Sequence, residues 1–220
     1  PVVMTGVVDQ WPAYEKWKNL EYLNELAGYC FRTVPIELGR NYLESGWTQR
    51  LMTLESFFDD IIRSLLLLSK GDVIGYLAQH DLFEQIKELR DDFLVPDYTA
   101  LTGDEEDDTL VMNAWLGPGG TVTPLHYDNY NNIFAQVVGS KYIRLYHPRE
   151  QEAMYPHGGT EYNTSRVDVE EVDKEKFPLF QKASFTDCVL EAGQCLFIPK
   201  GYWHYVRSCE TSFSISFWWK

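Results

Sequence analysis

The stretch TPLHYDNYNNIF places two side chains that can bind metal, His126 and Asp128, two residues apart. In a β-strand, residues i and i+2 point to the same face of the sheet. An imidazole and a carboxylate would then project into one space, where both can bind a single metal ion. His204, in PKGYWHYV, follows a glycine turn and opens another predicted strand, which makes it the best candidate for a third ligand.

Two histidines and one carboxylate are the ligand set of non-haem Fe(II) oxygenases. They cover one face of an octahedron and leave three positions open, whereas a structural zinc site fills its coordination sphere with protein ligands. A His-x-Asp pair is frequent by chance, and a buried histidine is more often hydrogen-bonded within a core. A zinc hydrolase and a scaffold without a metal therefore stay open as alternatives.

Lys141, in GSKYIRLY, bears on this choice. Strand alternation places Lys141 on the same face as Ile143 and Leu145. A lysine that points into an apolar interior is unfavourable unless a carboxylate meets it, and a small dicarboxylate cosubstrate would supply one. The alternative is a lysine that extends along the barrel wall to the solvent at its rim.

Thr123 and Asn132 flank the His-x-Asp pair. Unbroken strand alternation would turn Asn132 to the same side as His126 and Asp128. Both side chains can hydrogen-bond a bound carboxylate, although asparagine is also frequent in turns.

The elements around these residues change character along the chain. Residues 1–100 carry helical patterns, with Thr53 as a possible N-cap and with Gly28 and Gly71 as possible helix ends, and RTVPIELG predicts a strand among them. From residue 109 to residue 220, short β-branched or aromatic runs alternate with Gly/Pro turns. This pattern predicts a mainly β fold, an antiparallel sandwich or barrel with surrounding helices.

Composition limits the function classes. The chain has 220 residues, of which 45% are hydrophobic, and a net charge of -14. The negative charge argues against binding to nucleic acid or to anionic membranes and suits a basic protein or peptide partner. The acidic run Leu101–Asp108 predicts a solvated loop. No apolar run reaches the length of a membrane span, and no signal peptide is visible.

The four cysteines form no CxxC pair, which favours a reducing, intracellular compartment. Because the chain begins with Pro1 rather than methionine, we expect a further N-terminal region that is absent from this sequence.

With these residues in place, the sequence resembles the JmjC (jumonji-C) family of 2-oxoglutarate- and Fe(II)-dependent oxygenases. More narrowly it is similar to the group of jumonji-domain-containing protein five, also called lysine demethylase eight. The matching stretches are RTVPIELG, GYLAQHDLFEQI, NAWLGPGGTVTPLHYDNYNNIFAQVVGSKYIRLYHP, LFIPKGYWHYVRS and SFSISFWW. The resemblance spans nearly the whole chain and implies one catalytic domain, residues 1–220, with the double-stranded β-helix of a cupin-like jelly roll.

The resemblance also implies roles for individual residues. The implied iron ligands are His126, Asp128 and His204. The implied contacts of 2-oxoglutarate are Lys141 at its distal carboxylate, with Tyr76, Thr123 and Asn132 as hydrogen-bond partners. Trp115 resembles an aromatic wall of the active site, and Glu37 and Trp47 lie where the group holds a substrate arginine. One position departs from the family pattern, since Asn129 stands where a proline usually follows the aspartate, and this bears on substrate preference.

The resemblance implies Fe(II), 2-oxoglutarate and O2 as cofactors and a protein substrate. We expect peptidyl-arginine C3 hydroxylation, with histone methyl-lysine demethylation as the alternative in the same class. A non-catalytic chromatin interaction module of the same fold is the alternative from another class. We further expect a monomer, located in the nucleus or else in the cytoplasm, with no direct contact to nucleic acid.

Overall fold

The computed structural model describes residues 1–28, 33–63, 74–100 and 109–220. Within these ranges, twelve strands form two sheets in which every neighbouring pair is antiparallel. The strands are β1 Val2–Met4, β2 Thr33–Leu38, β3 Thr48–Thr53, β4 Gly75–His80, β5 Val111–Gly117, β6 Val122–Tyr127, β7 Asn131–Val138, β8 Lys141–Tyr146, β9 Phe185–Leu190, β10 Cys195–Ile198, β11 Trp203–Ser208 and β12 Ser212–Trp219.

The eight-stranded major sheet has the order β1-β10-β7-β12-β5-β4-β2-β3, and the four-stranded minor sheet has the order β6-β11-β8-β9. Side chains from the facing sides of both sheets form one buried cluster, to which the major sheet contributes Trp115 and Phe134 and the minor sheet Ile143 and Leu145. The two sheets therefore pack face to face around a shared interior, as in a jelly roll. The predicted fold class is confirmed.

The helices are short. They are α1 Pro12–Lys16, α2 Leu20–Gly28, α3 Leu54–Phe57, α4 Leu82–Gln85 and α5 Lys87–Arg90. A wider helical turn, Phe58–Arg63, continues α3. Five short segments of the tighter 3-10 helix lie at Val8–Gln10, Asp97–Ala100, Pro148–Met154, Gly159–Glu161 and Phe180–Lys182. Thr53 caps α3 as predicted, since its hydroxyl accepts a hydrogen bond from the Ser56 amide at 3.1 Å. No helix in the described residues is long and apolar enough to cross a membrane.

The first hundred residues contain more strand than their helical patterns indicate. Four strands, β1 to β4, lie there and extend the major sheet at both edges. Strand β2 was predicted, but the sequence of β3, TQRLMT, is largely exposed and has no apolar alternation. Strand β3 pairs with β2 over its whole length, and this pairing stabilises a strand that the sequence of β3 alone does not predict. Cys30, Gly71 and the acidic run 101–108 lie outside the described residues.

The largest core lies between the helices and the outer side of the major sheet. Phe213, Ile215 and Phe217 alternate along β12 and are fully buried there. Trp17 stacks on Phe213 with ring centroids 4.4 Å apart. This layer holds β12 and β5 rigidly, and the inner side of the same strands faces the shared interior.

Candidate metal centre and its cavity

Two neighbouring strands of the minor sheet bring the predicted histidines together. His126 lies on β6 and His204 lies directly opposite it on β11, where the two strands pair. Cross-strand partners have adjacent side chains, and the two imidazole ring centroids are 4.2 Å apart. Asp128 follows the end of β6, and its carbonyl accepts a hydrogen bond of 2.9 Å from the Gly201 amide.

The three side chains converge on one point. Asp128 Oδ1 lies 3.8 Å from His126 Nε2, and Asp128 Oδ2 lies 3.5 Å from His204 Nε2. One ligand atom from each residue lies within 4.8 Å of the others. The described residues thus place two imidazole nitrogens and a carboxylate oxygen around a single small volume.

Backbone carbonyls orient both imidazoles. His126 Nδ1 lies 2.8 Å from the Pro124 carbonyl oxygen, and His204 Nδ1 lies 3.0 Å from the Tyr202 carbonyl oxygen. A carbonyl only accepts hydrogen bonds, so each Nδ1 carries the proton and each Nε2 presents a lone pair towards Asp128. Burial, and then the neighbouring His126, lower the pKa of His204, which keeps that ring neutral.

These residues fit a divalent metal ion. Asp128 Oδ2 is buried and has no hydrogen-bond partner within the described structure. A buried carboxylate oxygen without a partner is unfavourable, and a cation bound beside it would remove that penalty. Neutral imidazole nitrogens and a carboxylate oxygen are the donors that Fe(II) and similar ions take in open sites.

Lys141 is fully buried on β8, together with Ile143 and Leu145 on the same face. The alternative of a lysine at the solvent-exposed rim is therefore wrong. Its Nζ donates a hydrogen bond of 3.0 Å to the Tyr76 hydroxyl and lies 5.2 Å from the Phe134 ring centroid. No carboxylate of the described residues lies within ion-pair distance of it, and burial lowers the pKa of Lys141 to about 7.

A cavity of about 450 Å³ opens from the metal centre to the surface. It continues inwards as a narrow recess between the two sheets, and His204 lies on the wall of that recess. The residues that line the cavity are Glu37, Tyr42, Tyr76, Ala78, Gln79, Trp115, Val122, Thr123, His126, Asp128, Asn129, Tyr130, Asn163, Thr164 and Trp218.

Three predicted hydrogen-bond partners of the cosubstrate and the predicted aromatic wall lie in this space. Tyr76, Trp115 and Thr123 line both the cavity and the recess, and Asn132 lines the recess. Asn132 reaches it by a different route from the one predicted. The chain leaves the minor sheet after β6 and enters the major sheet at β7, so Asn132 faces the metal centre from the opposite sheet rather than by unbroken alternation.

The two predicted substrate contacts differ in position. Glu37, on β2, lines the cavity, and burial raises the pKa of its carboxyl group. The Trp47 indole N–H lowers the pKa of Glu37, which places Trp47 beside that carboxyl group. The Nε1 atom of Trp47 has no hydrogen-bond partner among the described residues. Trp47 is not one of the lining residues of the cavity within the described chain.

Several lining residues were not predicted. The position of Trp218 is predictable from the sequence, because strand alternation places it on the same face of β12 as Ser212, Ser214 and Ser216. Tyr130 stacks on Trp218 with ring centroids 5.6 Å apart and planes at 6°, and no local pattern indicates that contact.

Gln79 has a left-handed backbone conformation with φ of 50°, which is uncommon outside glycine. It lies where the pairing of β4 with β5 shifts register. Sequence gives no sign of this bulge.

Comparison with known proteins agrees with this geometry. The family model described as a cupin-like domain matches residues 1–220. The chain is 51% identical over its whole length to lysine-specific demethylase 8 of Xenopus tropicalis and covers 48% of that protein. It is 50% identical over its whole length to lysine-specific demethylase JMJ30 of Arabidopsis thaliana and covers 49% of it.

Jumonji C domain-containing protein 5 of Drosophila melanogaster is 42% identical over the whole chain, which covers 54% of that protein. The chain thus spans about half the length of these relatives. The fold, the family model and the full-length identities agree: the chain belongs to the cupin-like family, as a JmjC domain of the oxygenase class.

Proposed function

We propose that this protein is an Fe(II)- and 2-oxoglutarate-dependent oxygenase that oxidises a side chain of another protein. One observation carries the proposal: three metal-binding side chains meet at a cavity, and the same interior holds a buried lysine that has no carboxylate partner among the described residues. A non-catalytic barrel would need neither feature, and a zinc hydrolase would leave Lys141 without a role.

His126, Asp128 and His204 would hold the iron through two Nε2 atoms and a carboxylate oxygen. Because these are only three ligands, further positions stay open for other molecules. With 2-oxoglutarate and O2 bound, the iron would supply oxidation of a substrate C–H bond to an alcohol, with succinate and CO2 as the other products.

Lys141 would hold the distal carboxylate of 2-oxoglutarate. A charge-assisted hydrogen bond in a dry interior fixes orientation strongly, and a bound carboxylate would also restore the positive charge that burial disfavours. Tyr76 already bonds to Lys141 and would accompany it. Asn132 lines the recess, and its amide NH2 group would donate a hydrogen bond to a carboxylate bound there.

Large aromatic side chains would keep bulk water away from the reacting carbon. Trp115 and Trp218 are largely buried in the wall, with ring centroids 6.5 Å apart, and Trp115 Nε1 donates to the Ser216 hydroxyl at 2.9 Å. Tyr130 covers Trp218 at the cavity side. A closed, dry site prevents side reactions of activated oxygen.

The names of the relatives favour methyl-lysine demethylation over the arginine hydroxylation that we preferred from the sequence. If the oxidised carbon is an N-methyl group, the resulting alcohol collapses to formaldehyde and leaves a demethylated lysine. We therefore place a methylated lysine of a histone or another basic protein first as substrate, which also fits a nuclear location.

One observation in the cavity favours arginine hydroxylation as the second candidate. Glu37 is a partly buried carboxylate on the cavity wall, and it forms no ion pair with another side chain among the described residues. A guanidinium group would form a paired charge there, and a hydroxyl on an arginine carbon would persist as the product.

Mass spectrometry of peptide panels tests the proposal and separates the two substrates. Peptides that contain methyl-lysine should lose a methyl group with formaldehyde release, or peptides that contain arginine should gain one oxygen atom. Either product should require Fe(II) and 2-oxoglutarate and vanish in His126→Ala. If succinate formation never depends on a peptide of either class, the proposed protein substrate is wrong.

A further inference from the structure

A surface segment of residues 157–164, here called the lip, borders the mouth of the cavity. It is fixed to β6, the strand that carries His126. The Tyr127 amide donates to the Asn163 carbonyl at 3.0 Å, and Asn163 Nδ2 donates to the Tyr127 carbonyl at 2.9 Å. Thr164 forms a bridge with His126. Asn163 and Thr164 thus join the end of the lip to the strand that carries His126.

Tyr162, on the lip, is an exposed aromatic residue with a defined orientation. Its side chain is 52% exposed, and its hydroxyl accepts a hydrogen bond of 3.3 Å from Asn129 Nδ2. The ring also lies edge-on to Tyr127, with centroids 6.3 Å apart. Asn129 itself lines the cavity, so this bond places the Tyr162 ring at the mouth. A proline at position 129 could not make this contact.

The same edge of the cavity is negatively charged. The Glu161 side chain is 60% exposed, with His157 Nδ1 3.7 Å from its carboxylate. Burial raises the pKa of Tyr42, a lining residue, to about 12, and the carboxylates of Glu37, Asp128 and Glu161 add to that rise. The Glu161 carboxylate therefore lies near enough to the cavity to interact electrostatically with Tyr42 on its wall.

We propose that Glu161 and Tyr162 bind a lysine or arginine side chain that neighbours the modified residue in the substrate. The inference rests on the proposed function, because it assigns the substrate's flanking sequence. A cation above the exposed Tyr162 face would gain a cation–π interaction and would lie near the Glu161 carboxylate. Asn129 acts as a positioning residue, since it fixes the ring through its hydroxyl.

Fluorescence anisotropy with matched peptides tests this directly. The probes are short labelled peptides with a central arginine or methyl-lysine, each made with lysine or with uncharged norleucine at a flanking position. Mn(II) and N-oxalylglycine, an unreactive analogue of 2-oxoglutarate, replace the reactive ligands. We expect the lysine-flanked peptide to bind about three- to tenfold more tightly, as cation–π and surface charge interactions of ordinary strength predict.

Glu161→Gln and Tyr162→Leu should each remove most of that preference. Glu191→Gln is the matched control, because Glu191 is an exposed glutamate directly after the end of β9. Leu190, the last residue of β9, pairs with Lys141 at the start of β8. His204 pairs with Leu145 near the other end of β8. Glu191→Gln should therefore keep the full preference. Asn129→Ala, which frees the Tyr162 ring from its hydrogen bond, should weaken the preference.

An equal affinity of the wild type for both flanks, or an unchanged preference in Glu161→Gln and Tyr162→Leu, would overturn the inference. Absence of binding by any peptide would overturn it as well. A charge preference that is present while no peptide is ever oxidised would support this docking site and count against the proposed reaction.

Discussion

The two faces of the major sheet use the same strands for opposite purposes. On the outer face of β12, Phe213, Ile215 and Phe217 are fully buried beneath the helices. On its inner face, the Ser214 hydroxyl donates a hydrogen bond to the Gln136 side chain. The Ser216 hydroxyl accepts one from the Trp115 indole. One alternating strand therefore separates a face that stabilises the fold from a face that serves the site.

The faces also differ in how fully their polar groups are paired. Behind the outer face, the buried Asp92 carboxylate accepts hydrogen bonds from Lys16, Trp17 and Tyr22. In the interior, Asp128 Oδ2 and Asn132 Oδ1 are buried and have no hydrogen-bond partner in the described part of the chain. Buried polar atoms in native proteins are nearly always paired, so the missing partners in the interior between the sheets are expected to be bound molecules.

The largest effect on stability should come from the outer face. Phe217→Ala should lower the free energy of unfolding by about 3–5 kcal/mol, the usual cost of emptying a buried phenylalanine site. Phe217→Leu, which keeps most of the volume, is the matched control and should cost less than half as much. Urea denaturation followed by tryptophan fluorescence measures both, and equal losses would show that packing on this face is not what stabilises the sheet.

The Asp92 cluster should have the next largest effect. Asp92→Asn removes a buried charge that accepts three hydrogen bonds, and we expect a loss of about 1–3 kcal/mol. Glu15→Gln breaks only the exposed pair with Lys18, whose side chains are 76% and 43% exposed, and should leave the denaturation midpoint unchanged. If both variants melt alike, the buried cluster is no more stabilising than a surface ion pair.

Lys141→Met should stabilise the unliganded protein, whereas the variants of Phe217 and Asp92 destabilise it. Burial lowers the pKa of Lys141 from 10.5 to about 7, so between these values the unfolded chain binds more protons than the folded one. Stability therefore rises with pH across this window, and the penalty of Lys141 is fully present below pH 7. The unliganded variant should be the more stable protein at pH 7.

Denaturation of both proteins from pH 7 to pH 10 checks the sign. The advantage of Lys141→Met should shrink as pH rises and be nearly gone at the upper end. The variant should also lose the stabilisation that 2-oxoglutarate gives the wild type. A variant that is less stable than the wild type at every pH would mean that Lys141 has a structural partner in the folded chain.

Trp218→Phe should have the smallest effect on stability. Trp218 Nε1 is buried without a hydrogen-bond partner, so removing its N–H leaves no broken bond within the described protein. We expect a change of less than about 1 kcal/mol in unfolding, together with a drop of about three- to tenfold in peptide turnover if the N–H meets the substrate. A large loss of stability with unchanged turnover would show that Trp218 stabilises the fold and does not contact the substrate.

Sequence predicted the positions of side chains where the pattern lies within one strand. The inward face of Lys141, Ile143 and Leu145 follows from alternation on β8 alone, and the closeness of His126 and Asp128 follows from their spacing. The family resemblance, carried by long matching stretches, supplied the fold.

Sequence could not predict features that depend on pairing between distant segments. Strand β3 exists because β2 pairs with it, and Asn132 reaches the site because the chain changes sheets after β6. The lip is held against β6 by two hydrogen bonds between Asn163 and Tyr127, which lie 36 residues apart in the chain. No local pattern contains this information.

We propose that the metal-binding side chains and Lys141, in the interior between the two sheets, hold iron and 2-oxoglutarate. Anaerobic titration with Fe(II) and 2-oxoglutarate tests it most directly, with absorbance spectroscopy and thermal melting on the same samples. The wild type should show a visible metal-to-2-oxoglutarate charge-transfer band, while His126→Ala should melt as a folded protein and show none. A wild type without the band, or an equal band in His126→Ala, would contradict the account.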